Sequence, residues 1–169
     1  LRRIIEESLT YEGPLSIRID PGKTNIILYS PETEFKIGKA YTAEDGTDIT
    51  IIATGEMVHE AIKVHSLLRK EGISVRVIDM FTVKPLDKEA VLKAAEETGR
   101  IVTWEDHLMQ NGLGTAVADV LVDNTVQLKS FKRFGIPQVY PGFGETQELY
   151  HKYGYDMEAV VKYIKSIFK

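Results

Sequence analysis

Along this chain, short apolar runs alternate with segments in which apolar residues recur every three or four positions. The clearest run is ITIIAT, residues 49 to 54, a continuous apolar stretch suited to a strand buried on both faces. Residues 56 to 71 follow with Val58, Ala61, Ile62, Leu67 and Leu68 at helical spacing, and Gly72 stands where a glycine with positive φ would end that helix. The unit then repeats. SVRVIDM (74 to 80) reads as a strand, and Asp87 is placed to cap a helix that Gly99 terminates. RIVTW (100 to 104) reads as a third core strand ending at Trp104. Residues 113 to 122, with Ala116, Val117, Val120 and Leu121, read as a third helix. KRFGIPQVY holds a last short strand, GFGETQELY a short helix with Thr146 as N-cap, and Asp156 caps a closing helix striped by Val160, Val161, Ile164, Ile167 and Phe168.

The first third is less regular. Leu1, Ile4, Ile5 and Leu9 share a helical face, Gly13-Pro14 stops it, and LSIRI (15 to 19) alternates like a strand. Residues 20 to 33, with two prolines and a glycine, read as a linker between a first unit, 1–19, and a second, 34–169. In the second unit FKIGKAY resembles a short strand and TAEDGTD a turn cluster. Strands joined through helices imply a mainly parallel sheet covered on both faces, since each parallel crossover needs such a connection. The expected fold is therefore α/β, a three-layer α/β/α sandwich.

Composition narrows the function classes. The 169 residues are 43% hydrophobic and 27% charged with a net charge of −4, the balance of a folded globular protein rather than a disordered one. Lysines and arginines are dispersed, so no basic stripe is available to displace counterions from a nucleic acid. No apolar run approaches the ~20 residues that span a bilayer, and the first residues lack the apolar core of a secretion signal, so a cytoplasmic protein is expected. The absence of cysteine excludes disulfides, thiolate zinc sites and cysteine nucleophiles.

The candidate chemistry gathers in RIVTWEDHLMQNGLGTAVADVL, residues 100 to 121. Gly112-Leu113-Gly114 precedes a helix, but Val117 stands where a dinucleotide fingerprint has its third glycine, and seven residues separate the motif from Trp104. A close meeting of loop and helix start is the simpler reading, with weak anion binding as the alternative. Glu105, Asp106 and His107 fall at the carboxyl end of a parallel strand, where open α/β sheets bind ligands and where an imidazole beside a carboxylate can move protons. Their simpler role is to hold the loop to neighbouring backbone or to a partner subunit. Thr54 and Gly55 precede another helix start and read most simply as a tight turn. In HEAIKVH the two histidines are six residues apart, about 120° around a helix, so zinc is not supported. His65 lies on the apolar edge and is expected in a core or interface, whereas His59 and His151 are expected at the surface.

The order of DITIIATGEMVHEAIKV, VIDMFTVKPLD, the acid-His loop with its GLG, and GIPQVYPGFGETQELYHKYGYDMEAVVKYI resembles the C-terminal domain of transketolases over about residues 35 to 169. EGPLSIRID resembles the last helix and strand of the preceding pyrimidine-binding domain. The resemblance implies a five-stranded mixed, mostly parallel sheet whose first strand, FKIGKAY, is antiparallel. It implies a C-terminal section of an enzyme that uses thiamine diphosphate and Mg2+ for two-carbon ketol transfer between sugar phosphates. The catalytic, cofactor and metal residues would lie on other polypeptide, so no catalytic residue is assigned and this chain alone is expected to be inactive and to bind no cofactor. Arg18 is the one candidate for the substrate phosphate, although Pro21 stands where relatives often carry a second arginine. Expected partners are a second copy, in a homodimer, and the N-terminal transketolase section. A 1-deoxyxylulose-5-phosphate synthase, a 2-oxoacid dehydrogenase β subunit and a non-catalytic assembly or anion-sensing module remain as alternatives.

Overall fold

The computed structural model describes residues 2–19 and 28–168. Five strands, β1 (Tyr41–Glu44), β2 (Ile49–Ala53), β3 (Val75–Asp79), β4 (Arg100–Leu108) and β5 (Ser130–Ile136), form one sheet in the order β1-β3-β2-β4-β5. β1 runs antiparallel to β3, and the other neighbours are parallel. The helices are α1 (Arg2–Ser8), α2 (Glu56–Arg69), α3 (Lys88–Thr98), α4 (Leu113–Asp123), α5 (Thr146–Tyr153) and α6 (Met157–Ile167). The α/β sandwich and its antiparallel first strand match the sequence expectation.

Burial explains why the central elements are legible in the sequence. Every residue of β2 is buried, because the strand lies between β3 and β4 with helices over both faces. Ile49, Ile51 and Ala53 join α2 and α6 in one apolar cluster, while Ile52 joins α3 and α4 in the other. Burying one such side chain stabilises by roughly 1.5–3 kcal/mol. The caps fit as well. Asp87 accepts from Ala90 N at 3.1 Å, Asp156 accepts from Ala159 N at 2.8 Å, and Gly99 closes α3 in the left-handed region at φ 64°. Beyond α2, Gly72 has φ 82°.

Several expectations are corrected. FKIGKAY is not the first strand; β1 begins at Tyr41 and takes in TAE, the residues read as a turn. The reason lies in the donors of residues 38 to 40. Lys39 N bonds Lys36 O in a turn that carries Gly38 at φ 83°, a conformation suited to glycine. Gly38 N and Ala40 N are taken by the side chains of Thr82 and Asp87 at 3.1 and 2.9 Å. With these amides committed, the segment has no ladder to give until Tyr41 meets Asp79. LSIRI is irregular and fully outside the sheet, with Leu15, Ile17 and Ile19 exposed, because no neighbouring strand pairs with it among the described residues. β4 continues past Trp104 to Leu108. Thr146 opens α5 rather than capping it; Glu145 holds the cap position without a side-chain bond. Part of the 20–33 linker, residues 20–27, lies outside the described residues. Residues 28 to 40 pack on the sheet domain through Tyr29 and Phe35.

Candidate functional site

The extension of β4 creates the site. Trp104 pairs with Phe134 and Leu108 with Ile136, so four residues of β4 run beside two of β5. The excess residues form a bulge, which re-aims side chains that a regular strand would alternate between faces. Gly135 makes room for it, since a Cβ there would meet His107 O at 2.9 Å and the Glu105 backbone and side chain at 3.1 Å.

The bulge turns Glu105 inward, where it is 1% exposed. Its carboxylate accepts from Leu113 N at 2.7 Å and from Gly114 N at 2.8 Å, the first amides of α4. These are donors that a helix cannot satisfy itself, and they sit at the positive end of the helix dipole. A carboxylate taking two of them makes charge-assisted bonds. The glycines admit it: a Cβ on Gly112 would overlap Glu105 Oε2 outright, and one on Gly114 would fall 2.7 Å from both Arg133 Cδ and Thr103 Oγ1. Burial pushes the Glu105 carboxyl above its ordinary range, opposed by the Gly114 and Leu113 amides and by His107 and Arg133.

Arg133 donates to Thr115 Oγ1 at 3.2 Å, and that hydroxyl donates to Met109 O at 2.9 Å and accepts from Asn111 N at 3.1 Å. Asn111 takes φ 59°, a conformation that asparagine tolerates. The loop between β4 and α4 is therefore tied at both ends, with Met109 N also bonded to Ile136 O at 2.9 Å.

The three consecutive polar residues do not converge. Asp106 accepts from Tyr150 Oη at 3.1 Å and Tyr155 Oη at 3.0 Å, and Trp104 Nε1 donates to Tyr155 O at 2.8 Å. These bonds fasten α5 and the turn before α6 to β4. Burial and the Asp106 charge push the Tyr155 hydroxyl strongly upward, so it acts as a donor. His107 is exposed, its Nδ1 donating to Leu108 O at 3.0 Å. Arg18 is exposed in the irregular segment after α1. Glu105, Gly112 and Gly114 thus share one site, while Asp106, His107 and Arg18 each face elsewhere.

Other histidines divide as their surroundings require. His65 is buried, with Nδ1 2.6 Å from Val75 O. His151 is exposed beside Asp156 at 2.6 Å. His59 departs from the surface expectation: it is half-buried, and its Nδ1 is buried without a partner among the described residues. His151, Asp156 and Glu158 place ligand atoms within 4.8 Å of one another, but both Asp156 oxygens are engaged, one by Ala159 N and one by His151. Sequence reasoning missed Arg133, Tyr150 and Tyr155 as site neighbours, since each reaches the bulge from a distant part of the chain, and it missed Thr115, whose bonds to Met109 and Asn111 depend on how the loop folds back on α4. It also missed Asp79, whose signal is an acid closing the strand pattern VRVI. Among the described residues no helix is long and apolar enough to cross a membrane.

Comparison with known proteins accords with this architecture. The family model described as the transketolase C-terminal domain matches residues 38–160. An apulose-4-phosphate transketolase subunit of Phocaeicola vulgatus is 40% identical over 161 residues, covering 95% of this chain and 51% of that protein. A putative transketolase C-terminal section of Methanocaldococcus jannaschii is 39% identical over 170 residues, covering 99% and 52%. The solved structure described as a split gene transketolase, inactive beta4 tetramer, superposes with a TM-score of 0.75 at 35% identity, covering 84% of this chain and 46% of the other. The chain therefore spans about half the length of these relatives.

Proposed function

The chain belongs to the transketolase C-terminal domain family, and from that premise we propose that it makes up the C-terminal half of the C-terminal section of a split transketolase, working with the remaining polypeptide of that enzyme, the complementary section. The observation that carries this reading is proportion: nearly the whole chain aligns with relatives named as a transketolase subunit or C-terminal section, yet accounts for about half of each. Residues 1–19 are the end of the pyrimidine-binding domain, 20–33 the linker and 34–169 the C-terminal domain. In keeping with a piece that needs its remainder, α1 has no buried residue, and Leu9 and Ile19 are 82% and 61% exposed.

The work of the whole enzyme is transfer of a two-carbon ketol unit between phosphorylated sugars, with thiamine diphosphate and Mg2+ held by the complementary section. The residues at the GLG helix start do not fit a diphosphate, because Glu105 already takes the Leu113 and Gly114 amides inside a site that its own carboxylate fills. Here a Gly-x-Gly cradle for an anion is satisfied from within. The role of this chain is accordingly to assemble: it braces the active-site domains and supports dimerisation, and Arg18 is the side chain offered to a sugar phosphate. Tyr140 and Phe143, both fully exposed on the loop between β5 and α5, are further candidates for contact with the other section.

The test is to purify the chain with its complementary section and compare xylulose 5-phosphate with pyruvate as the ketol or acyl donor. Ketol transfer from the sugar phosphate supports the reading. Turnover with pyruvate and not with the sugar would assign the chain to a synthase of the deoxyxylulose phosphate type instead.

A further inference from the structure

We propose that Tyr29 and Asp79 form a latch holding residues 28–40 as a strap over the β1–β3 edge, closed when Asp79 carries a proton and loosened when it is ionised. Tyr29 Oη donates to Asp79 Oδ2 at 2.7 Å across fifty positions of sequence. Asp79 is 7% exposed, and its Oδ1 is buried with no hydrogen-bond partner among the described residues. A buried carboxylate with one oxygen unsatisfied is costly, whereas a protonated carboxyl makes a smaller demand on its surroundings.

The strap supplies the cover. Phe35 packs on Tyr29, Tyr41 and Phe81 at centroid distances of 5.2, 5.8 and 5.0 Å, and Tyr29 packs on Tyr41 at 4.9 Å. Lifting Tyr29 and Phe35 would return Asp79 to water. The far end of the strap is anchored separately, by Gly38 N to Thr82 and Ala40 N to Asp87, so opening pivots there rather than releasing the whole segment.

Among the described residues the titratable groups around Asp79 are few. Tyr29 comes from the strap and Tyr41 from β1, its register partner; β2 presents Ala53. α2, packed on the same face, carries Glu56 and His59 in its opening residues. Burial pushes Asp79 from 3.8 up to about 6 against the opposing Tyr29 bond. The folded, closed form thus binds the proton more tightly than an open, hydrated one. Closure is most favoured below pH 3.8 and weakens as pH rises from there through about 6, by up to about a hundredfold for a separation of about two pKa units.

Hydrogen exchange of the strap amides in the full chain, corrected for intrinsic rates and read at pH 5 and pH 7.5, tests the latch. Wild type is expected to show at least about tenfold greater protection at pH 5. Asp79→Asn should remove the pH dependence, Tyr29→Phe should lower protection at both pH values, and His59→Gln should leave the wild-type response in place. Equal protection at the two pH values in wild type, or an Asp79→Asn variant that keeps the response, would overturn the proposal, as would its loss in His59→Gln.

Discussion

Glu105 and Gly112 share one small volume at the start of α4: the carboxylate of the first occupies the space where a side chain on the second would begin, and a Cβ there would stand only 2.8 Å from Glu105 Cδ. The two residues are seven apart in sequence and neither role is readable alone. The carboxylate needs the absence of a side chain, and the uncapped helix start needs the carboxylate.

Gly112→Ala should therefore expel the carboxylate and leave two buried amides without an acceptor, at about 1–3 kcal/mol for each unsatisfied group. Gly114→Ala should cost less, because the Arg133 stem and the Thr103 hydroxyl that it meets at 2.7 Å overlap it less than Glu105 Oε2 overlaps a Cβ on Gly112, and the carboxylate can stay on its two amides. Urea unfolding of both variants ranks them, and equal stabilities for Gly112→Ala and wild type would remove Glu105 from its role as cap.

Burial raises both Asp79 and Glu105, so each contributes stability that is fully present below its unfolded value and lost as pH rises through its folded value. For Asp79, with 3.8 raised to about 6, the span corresponds to about 3 kcal/mol gained on acidification. Unfolding free energy followed from pH 7.5 to 4 should rise from this group in wild type, and the rise should shrink in Asp79→Asn.

Tyr150 and Tyr155 share Asp106 as acceptor. Removing either hydroxyl should cost about 1.5–3 kcal/mol, as for bonds to a charged group. The pair should be non-additive, since the first loss leaves the carboxylate with a single donor. A double-mutant cycle with Tyr150→Phe and Tyr155→Phe measures the coupling; strict additivity would show that the two bonds are independent.

Tyr140 and Phe143 touch little of their own chain. Replacing both with serine should shift the unfolding midpoint negligibly and weaken association with the complementary section at least about tenfold, the scale of aromatic anchors at interfaces. Light scattering and titration of the two sections report each effect separately.

The alternation of buried strands and capped helices is legible in the sequence because local signals and tertiary packing agree there: ITIIAT is buried throughout β2, and Asp87, Gly99 and Asp156 cap where their types suggest. The edge is not legible. FKIGKAY has strand composition, yet Thr82 and Asp87 take its amides, and these lie over forty residues onward. The candidate loop stands out by its residue types, but its logic is hidden. A bulge that moves Glu105 inward, and an Arg133 that arrives from β5, follow from strand register, which single-chain periodicity does not specify.

The most direct measurement is ketol transfer from xylulose 5-phosphate as the complementary section is added to a fixed amount of this chain, with thiamine diphosphate and Mg2+ present. Activity absent from the chain alone and rising to saturation at equal amounts of the two sections is the predicted result. Sustained turnover by this chain alone would contradict it.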